Sequence, residues 1–214
     1  MANVILITGA SRGLGRALAE ELHDQQLALV ARHPFEGPEG ALVLAADVGQ
    51  EAERIVRETR ERFGRIDILI NNASTLGATP MPELMGADWR ELAQVLHTNV
   101  LAPLHLTQLS GARVVVNLTS DAGLEAYPGW GAYGLSKAAL EHQTRTLAAE
   151  NPDTVFVAVD PGDMNTQMHR EAVPDADLDR LQDPREVARK LARWLLHSPR
   201  SGRIRVSELV EAAR

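Results

Sequence analysis

Short aliphatic runs alternate with longer amphipathic stretches along nearly all of this 214-residue chain, and that order admits few folds. A strand in a parallel sheet is covered on both faces and reads as an unbroken apolar run, whereas the helix that carries the chain to the next strand is apolar on one side only. The runs predict strands at Val4 to Thr8, Leu27 to Ala31, Ala41 to Ala46, Ile66 to Asn71, Arg113 to Leu118, Thr154 to Val159 and Arg203 to Val206. Helices are expected from Leu14 to Asp24, Glu51 to Phe63, Asp88 to Leu109, Ala132 to Glu150 and Pro184 to Leu196. The last begins with Asp183 as N-cap and Pro184 at the first helical position, both preferred there. His33 to Gly40 holds two prolines and two glycines and predicts a compact turn where a helix would otherwise join the second and third strands. No linker, repeat or low-complexity tract interrupts the pattern. The expectation is an α/β fold, one domain over residues 1–214, built on a doubly wound parallel sheet of about seven strands with helices on both faces.

Composition narrows the classes of function. A net charge of -7 argues against a nucleic-acid partner, which calls for a basic face. With no cysteine there is no disulfide framework or thiol nucleophile, and the seven histidines show no metal-ligand spacing, so no metal site is expected. Met1-Ala2-Asn3 leads straight into Val4-Ile5-Leu6-Ile7 without a basic leader, and no apolar run approaches the ~20 residues of a membrane span. A cytoplasmic protein without a membrane partner is the expectation.

Directly after the first strand comes Thr8-Gly9-Ala10-Ser11-Arg12-Gly13-Leu14-Gly15, followed by an amphipathic stretch. Strand, glycine loop and helix in that order aim backbone N–H groups and a helix N-terminus at one point, where a pyrophosphate can sit, as in Rossmann-type dinucleotide sites. Gly9 suits the tight turn, Gly13 the close approach to a ligand and Gly15 the packing of helix on strand. The end of the second strand normally chooses between the two nicotinamide dinucleotides: a carboxylate binds the ribose 2'-hydroxyl of NAD, a guanidinium the 2'-phosphate of NADP. Arg32 stands there, with Arg12 in the glycine loop and no carboxylate beside it. NADP(H) is therefore expected to be preferred, with NAD(H) possible.

The chain has twenty arginines and two lysines, and one of those lysines, Lys137, follows one of only two tyrosines, Tyr133, by four residues. Residues four apart share a helix face, so the phenol and the ammonium are expected side by side. A cation near a phenol lowers its pKa from ~10 by favouring the phenolate, which suits acid/base work.

Together these motifs resemble the short-chain dehydrogenase/reductase family, in its branch with a Thr-Gly-x-x-x-Gly-x-Gly loop and a Tyr-x-x-x-Lys pair. The resemblance runs from Val4 to about Thr166 and includes Asp47-Val48, Asn71-Asn72-Ala73-Ser74, Asn99, Ser120, Pro161-Gly162 and Thr166. It implies a proton exchanged by Tyr133 with a substrate oxygen, a Lys137 that lowers the tyrosine pKa and bonds the nicotinamide ribose, a Ser120 that orients the carbonyl, and an Asn99 that holds a water next to the lysine. For the cofactor it implies Thr8, Gly9, Ser11, Arg12, Gly13, Leu14 and Gly15 around the phosphates. Asp47 and Val48 would hold the adenine, Asn72, Ala73 and Ser74 the cleft wall, and Pro161, Gly162 and Thr166 the nicotinamide. Asn71 is also suited to tying adjacent strands together. The activity implied is an NADPH-dependent carbonyl reductase or alcohol dehydrogenase acting on a small molecule; the alternative is a redox sensor or scaffold that binds the dinucleotide without turnover. Tyr127 and Trp130 either wall the substrate pocket or pack the loop that carries them. The chain is shorter than the family's usual length of about 250 residues. The missing length falls in the Pro34 to Gly40 turn, in the stretch between Asn99 and Arg113, where little helix is expected near Leu109-Ser110-Gly111, in the loop after Thr166, and after the last strand. Relatives pair through the helix after Asn99 and the one carrying Tyr133, so a homodimer is expected, with a tetramer possible.

Overall fold

The computed structural model describes residues 2–209. Seven strands form one parallel sheet: β1 (Val4–Thr8), β2 (Gln26–Ala31), β3 (Leu42–Ala45), β4 (Ile68–Asn71), β5 (Val114–Leu118), β6 (Val155–Asp160) and β7 (Gly202–Arg205). Their order is β3-β2-β1-β4-β5-β6-β7. Each lies within two residues of the run that predicts it. The order reverses between β1 and β4, where Ile5 faces Leu27 on one side and Ile68 on the other. Crossovers leave on opposite faces of the sheet at this point, so the carboxyl ends of β1 and β4 open a crevice.

Alternation along the strands sorts the core into two layers. Ile5, Ile7, Leu29, Ile70 and Val159 point to the face covered by α1 (Gly13–Glu21) and α7 (Pro184–His197). Leu6, Ala28, Val30, Leu69 and Val115 point to the face covered by α2 (Ala52–Phe63) and α4 (Ala102–Ser110). Each fully buried aliphatic chain, such as Leu18 or Leu191, contributes about 1.5–3 kcal/mol. Asp183 accepts from Arg185 N at 2.9 Å and caps α7, as its position predicts. No helix joins β2 to β3: Phe35 packs against the core from the turn, and Gly37 lies against Leu29 and Val43.

The stretch expected as one helix from Asp88 to Leu109 is three pieces in succession. Asp88 caps α3 (Trp89–Leu96), a π-helical turn spans His97–Leu101, and α4 continues to Ser110. The expectation of little helix before Arg113 is corrected, because α4 keeps nine residues and ends on Gly111 in the left-handed conformation. The π turn inserts extra backbone where Asn99 is turned inward and buried. Two further elements carry site residues: α5 (Gly131–Glu150) and the short α6 (Gln167–Ala172).

Gly15 shows how tightly α1 is seated. A Cβ there would overlap the carbonyl oxygen of Gly9 and come within 2.5 Å of Asn72 Nδ2, both held by backbone. Gly15→Ala should therefore destabilise the fold by about 1–3 kcal/mol. Thermal unfolding reads this directly, and an unchanged midpoint would contradict the packing.

Candidate active site

Thr8 builds the floor of the crevice. Its buried hydroxyl donates to Ile70 O (3.3 Å) and accepts from Asn72 N (3.1 Å) and Ala73 N (3.0 Å). Asn72 Nδ2 donates back to Thr8 O (2.9 Å) and Gly9 O (3.0 Å). The ends of β1 and β4 are thereby pinned together with the glycine loop on top. Gly9 and Gly13 both take positive φ, 67° and 56°.

The cleft above this floor gathers Gly9, Ser11, Arg12, Gly13 and Leu14 from the glycine loop with Arg32 after β2 and Asp47 and Val48 after β3. Asn72, Ala73 and Ser74 form the middle wall, and Tyr133, Lys137, Pro161 and Thr166 the far end. Thr8, Gly15, Asn99, Ser120 and Gly162 do not line it. The first two support it from beneath. Gly162 follows Asp160, whose Oδ1 accepts from Gly162 N (3.0 Å) and shapes the loop around Pro161.

Several features of the wall suit an anionic dinucleotide. The N-terminus of α1 has no side-chain cap and no acidic residue in its first turn, so its free N–H groups and partial positive charge face the cleft. Arg12 and Arg32 are exposed and form no ion pair among the described residues. Ser74 Oγ and Thr119 Oγ1 are buried in the wall without a hydrogen-bond partner, polar atoms of the kind a bound ligand satisfies. Asp47 Oδ1 accepts from Gly49 N (2.8 Å), which fixes the turn after β3.

On α5, Tyr133 and Lys137 lie one turn apart and face the same space. The ammonium meets the face of the ring, with Nζ 5.2 Å from its centroid, and donates to Leu118 O at 2.7 Å. Lys137 is 3% exposed, and this burial pulls its pKa down to about 7. Burial pushes the Tyr133 phenol well above its usual 10; Asp121, Asp160 and Asp163 add to the rise, while Ser120 opposes it. In the protein without ligand, desolvation therefore dominates the phenol.

Ser120 caps a short turn. Its hydroxyl donates to Asp121 Oδ1 (3.0 Å) and accepts from Ala122 N (3.2 Å), and Thr119 is the hydroxyl in the cleft wall. The amide of Asn99 accepts from Thr75 N and donates to Thr75 O and Ser136 Oγ, all at 2.9 Å. Its side-chain N–H groups are thus committed, and no side-chain donor remains for a water. Asn71 Nδ2 donates to Asn117 Oδ1 (2.8 Å), the strand-tying role its position suggests. Among the described residues no cluster of potential metal ligands is present, and no helix is long and apolar enough to cross a membrane.

Sequence reasoning missed Thr75, Gln94, Thr98 and Gln167, all on the cleft wall, which Met164 and Met168 on either side of Thr166 also line. Gln94 and Thr98 carry a readable signal. They are polar, four apart, just ahead of Asn99, and hydrogen-bonded at 3.4 Å.

A profile of the family described as short chain dehydrogenase matches residues 3–177. The 3-oxoacyl-[acyl-carrier-protein] reductase of Synechocystis is 32% identical over 216 aligned residues, which cover 87% of this chain and 86% of that protein. A benzil reductase, (S)-benzoin forming, from Bacillus subtilis is 33% identical over 190 residues, covering 76% of this chain and 75% of its own length. The X-ray structure of an alcohol dehydrogenase from the archaeon Thermococcus sibiricus, complexed with 5-hydroxy-NADP, matches with a TM-score of 0.83 at 25% identity and covers 100% of both chains. Sheet order, phosphate loop and sequence kinship agree, and the chain belongs to the short-chain dehydrogenase/reductase family of nicotinamide-dependent oxidoreductases.

Proposed function

We propose that the protein is an NADPH-dependent carbonyl reductase, or in reverse an alcohol dehydrogenase, working as one domain over residues 1–214 with Tyr133 as its general acid/base. The observation that carries this reading is the projection of Tyr133 and Lys137 from one face of α5 into the end of the cleft, beside Pro161 and Thr166. When bound, the nicotinamide supplies the hydride. Tyr133, whose raised pKa keeps the phenol protonated at neutral pH, donates its proton to the substrate oxygen. Ser120 would turn its hydroxyl from Asp121 to the substrate carbonyl and orient it. Lys137 keeps its contact with Leu118 O and turns its remaining N–H groups toward the ribose end of the cleft. Arg12 and Arg32 support NADP over NAD, each offering to the cleft a guanidinium that forms no ion pair among the described residues. Two copies are proposed to pair through α4 and α5, where Leu101 next to α4 and Leu135 on α5 stay exposed.

Four outcomes are expected. NADPH should bind at least about tenfold tighter than NADH, roughly 1.4 kcal/mol, in a fluorescence titration. Tyr133→Phe should keep that affinity while losing about a hundredfold or more of the rate; unchanged turnover would refute the acid/base role. Light scattering should read a dimeric mass, and a monomer would remove the pairing. The lysine gives the fourth. Lys137 carries its proton only below about 7 when folded, whereas an unfolded lysine holds it up to 10.5. Between those values the unfolded chain binds more protons, so stability rises with pH, and below 7 the burial penalty is fully felt. Lys137→Met should raise the unfolding midpoint of the cofactor-free protein most below pH 7, with the gain shrinking toward pH 10.5. A gain that is the same at every pH would refute the buried charge.

A further inference from the structure

Beyond the phenol an aromatic ladder leads outward. Trp130 meets Tyr133 edge-on at 5.8 Å between centroids, and Tyr127 meets Trp130 at 6.4 Å. Tyr127 is fixed by its hydroxyl, which donates to Asp121 Oδ2 at 3.0 Å. Trp130 also forms the wall of a recess of about 400 Å³, with Pro80, Met81, Pro128 and Pro174 opposite, a size suited to a small ligand. Glu171 is its one charged lining residue, held by Gln167 Nε2 at 2.7 Å. The surroundings repeat this sign. Asp121, which accepts from Tyr127, and Glu125 lie on the same stretch between β5 and α5 as Trp130, outside the recess itself. Asp163 is 73% exposed, and its neighbour His169, 3.7 Å away, answers its charge only when protonated. Arg170 sits on the same short helix as Glu171 but does not line the recess. Lys137 is turned to Leu118 O. No cation faces the recess among the described residues.

An aromatic and proline-walled recess rewards a flat apolar group, and the carboxylate of Glu171, with no cation among the lining residues, disfavours a second anion. We propose that the recess beside Trp130 takes the aryl group of an uncharged ketone and discriminates against carboxylated or phosphorylated analogues. This rests on the reductase reading above, whose carbonyl would sit at Tyr133.

The test uses the full chain saturated with NADPH and two matched ketone pairs. At low ionic strength, 4-acetylbenzamide should show a kcat/KM at least about tenfold above that of 4-acetylbenzoate, roughly 1.4 kcal/mol, and the gap should narrow in 0.5 M salt as screening grows. Acetophenone should show a KM at least about fivefold below that of cyclohexyl methyl ketone, a difference that Trp130→Leu removes. Glu171→Arg, a change on an exposed helix face, should narrow or invert the benzamide-to-benzoate ratio of kcat/KM by at least about fivefold, an effect that a merely structural loss would not produce. Equal use of benzamide and benzoate, or equal KM for aryl and cyclohexyl ketones, would overturn the proposal. Turnover of none of the four ketones would overturn the reductase reading beneath it, an outcome distinct from wrong selectivity.

Discussion

Every part of the cleft depends on how closely β1 and β4 are held at their carboxyl ends. The Thr8 hydroxyl spans that gap with three hydrogen bonds, and the Asn72 amide returns two. Each bond contributes only about 1 kcal/mol net. Their value is geometric, because buried carbonyl and amide groups at a sheet end have no strand partner and must find another. Using a side chain for this keeps the backbone of Gly9 flat against Ala73, leaves room for α1 to start within the same turn, and aims the open end of α1 across the crevice.

A second set of polar contacts ties the catalytic end to the same frame. Asn71 binds Asn117 across β4 and β5, Asn117 Nδ2 donates to Thr144 Oγ1 (2.9 Å), and Thr144 donates to Leu140 O (2.7 Å) on α5. Asn99 joins the π turn to Ser136, which itself donates to Tyr133 O (2.7 Å). Near β6, Asp160 accepts from Arg203 (2.9 Å) and Arg205 (3.2 Å), and Arg203 also reaches Glu141 on α5 at 2.9 Å. These links leave α5 little freedom to slide along the sheet. The spacing between Tyr133 and the loop at Pro161 is therefore set by buried side chains, whose misplacement would cost several kcal/mol in unsatisfied groups.

The strands were legible because burial on both faces leaves an apolar run with no competing explanation, as in Val4 to Thr8. Helix starts marked by a capping aspartate, Asp88 and Asp183, were equally plain. The π turn was not, since one added residue in a helical turn changes no residue type and hardly disturbs a 3.6-residue period. The Tyr133–Lys137 pair was legible as neighbours, whereas the burial that raises the phenol was not, because spacing reports proximity and says nothing of how much water remains. Thr119 and Ser120 illustrate the same limit. A strand end presents successive residues to opposite sides, and which hydroxyl meets the cleft depends on the turn that follows.

The compact turn between β2 and β3 bears on how the molecule assembles. Parallel strands are usually joined through a helix, which separates partners widely along the chain; here Ala28 pairs with Leu42, whereas Ile5 must find Ile68 and Val157 must find Gly202. Because the entropy lost in closing a loop grows with its length, β2 against β3 is the parallel contact with the smallest search to complete. The outer edge of the sheet, and not its centre, is thus where folding meets its lowest entropic barrier.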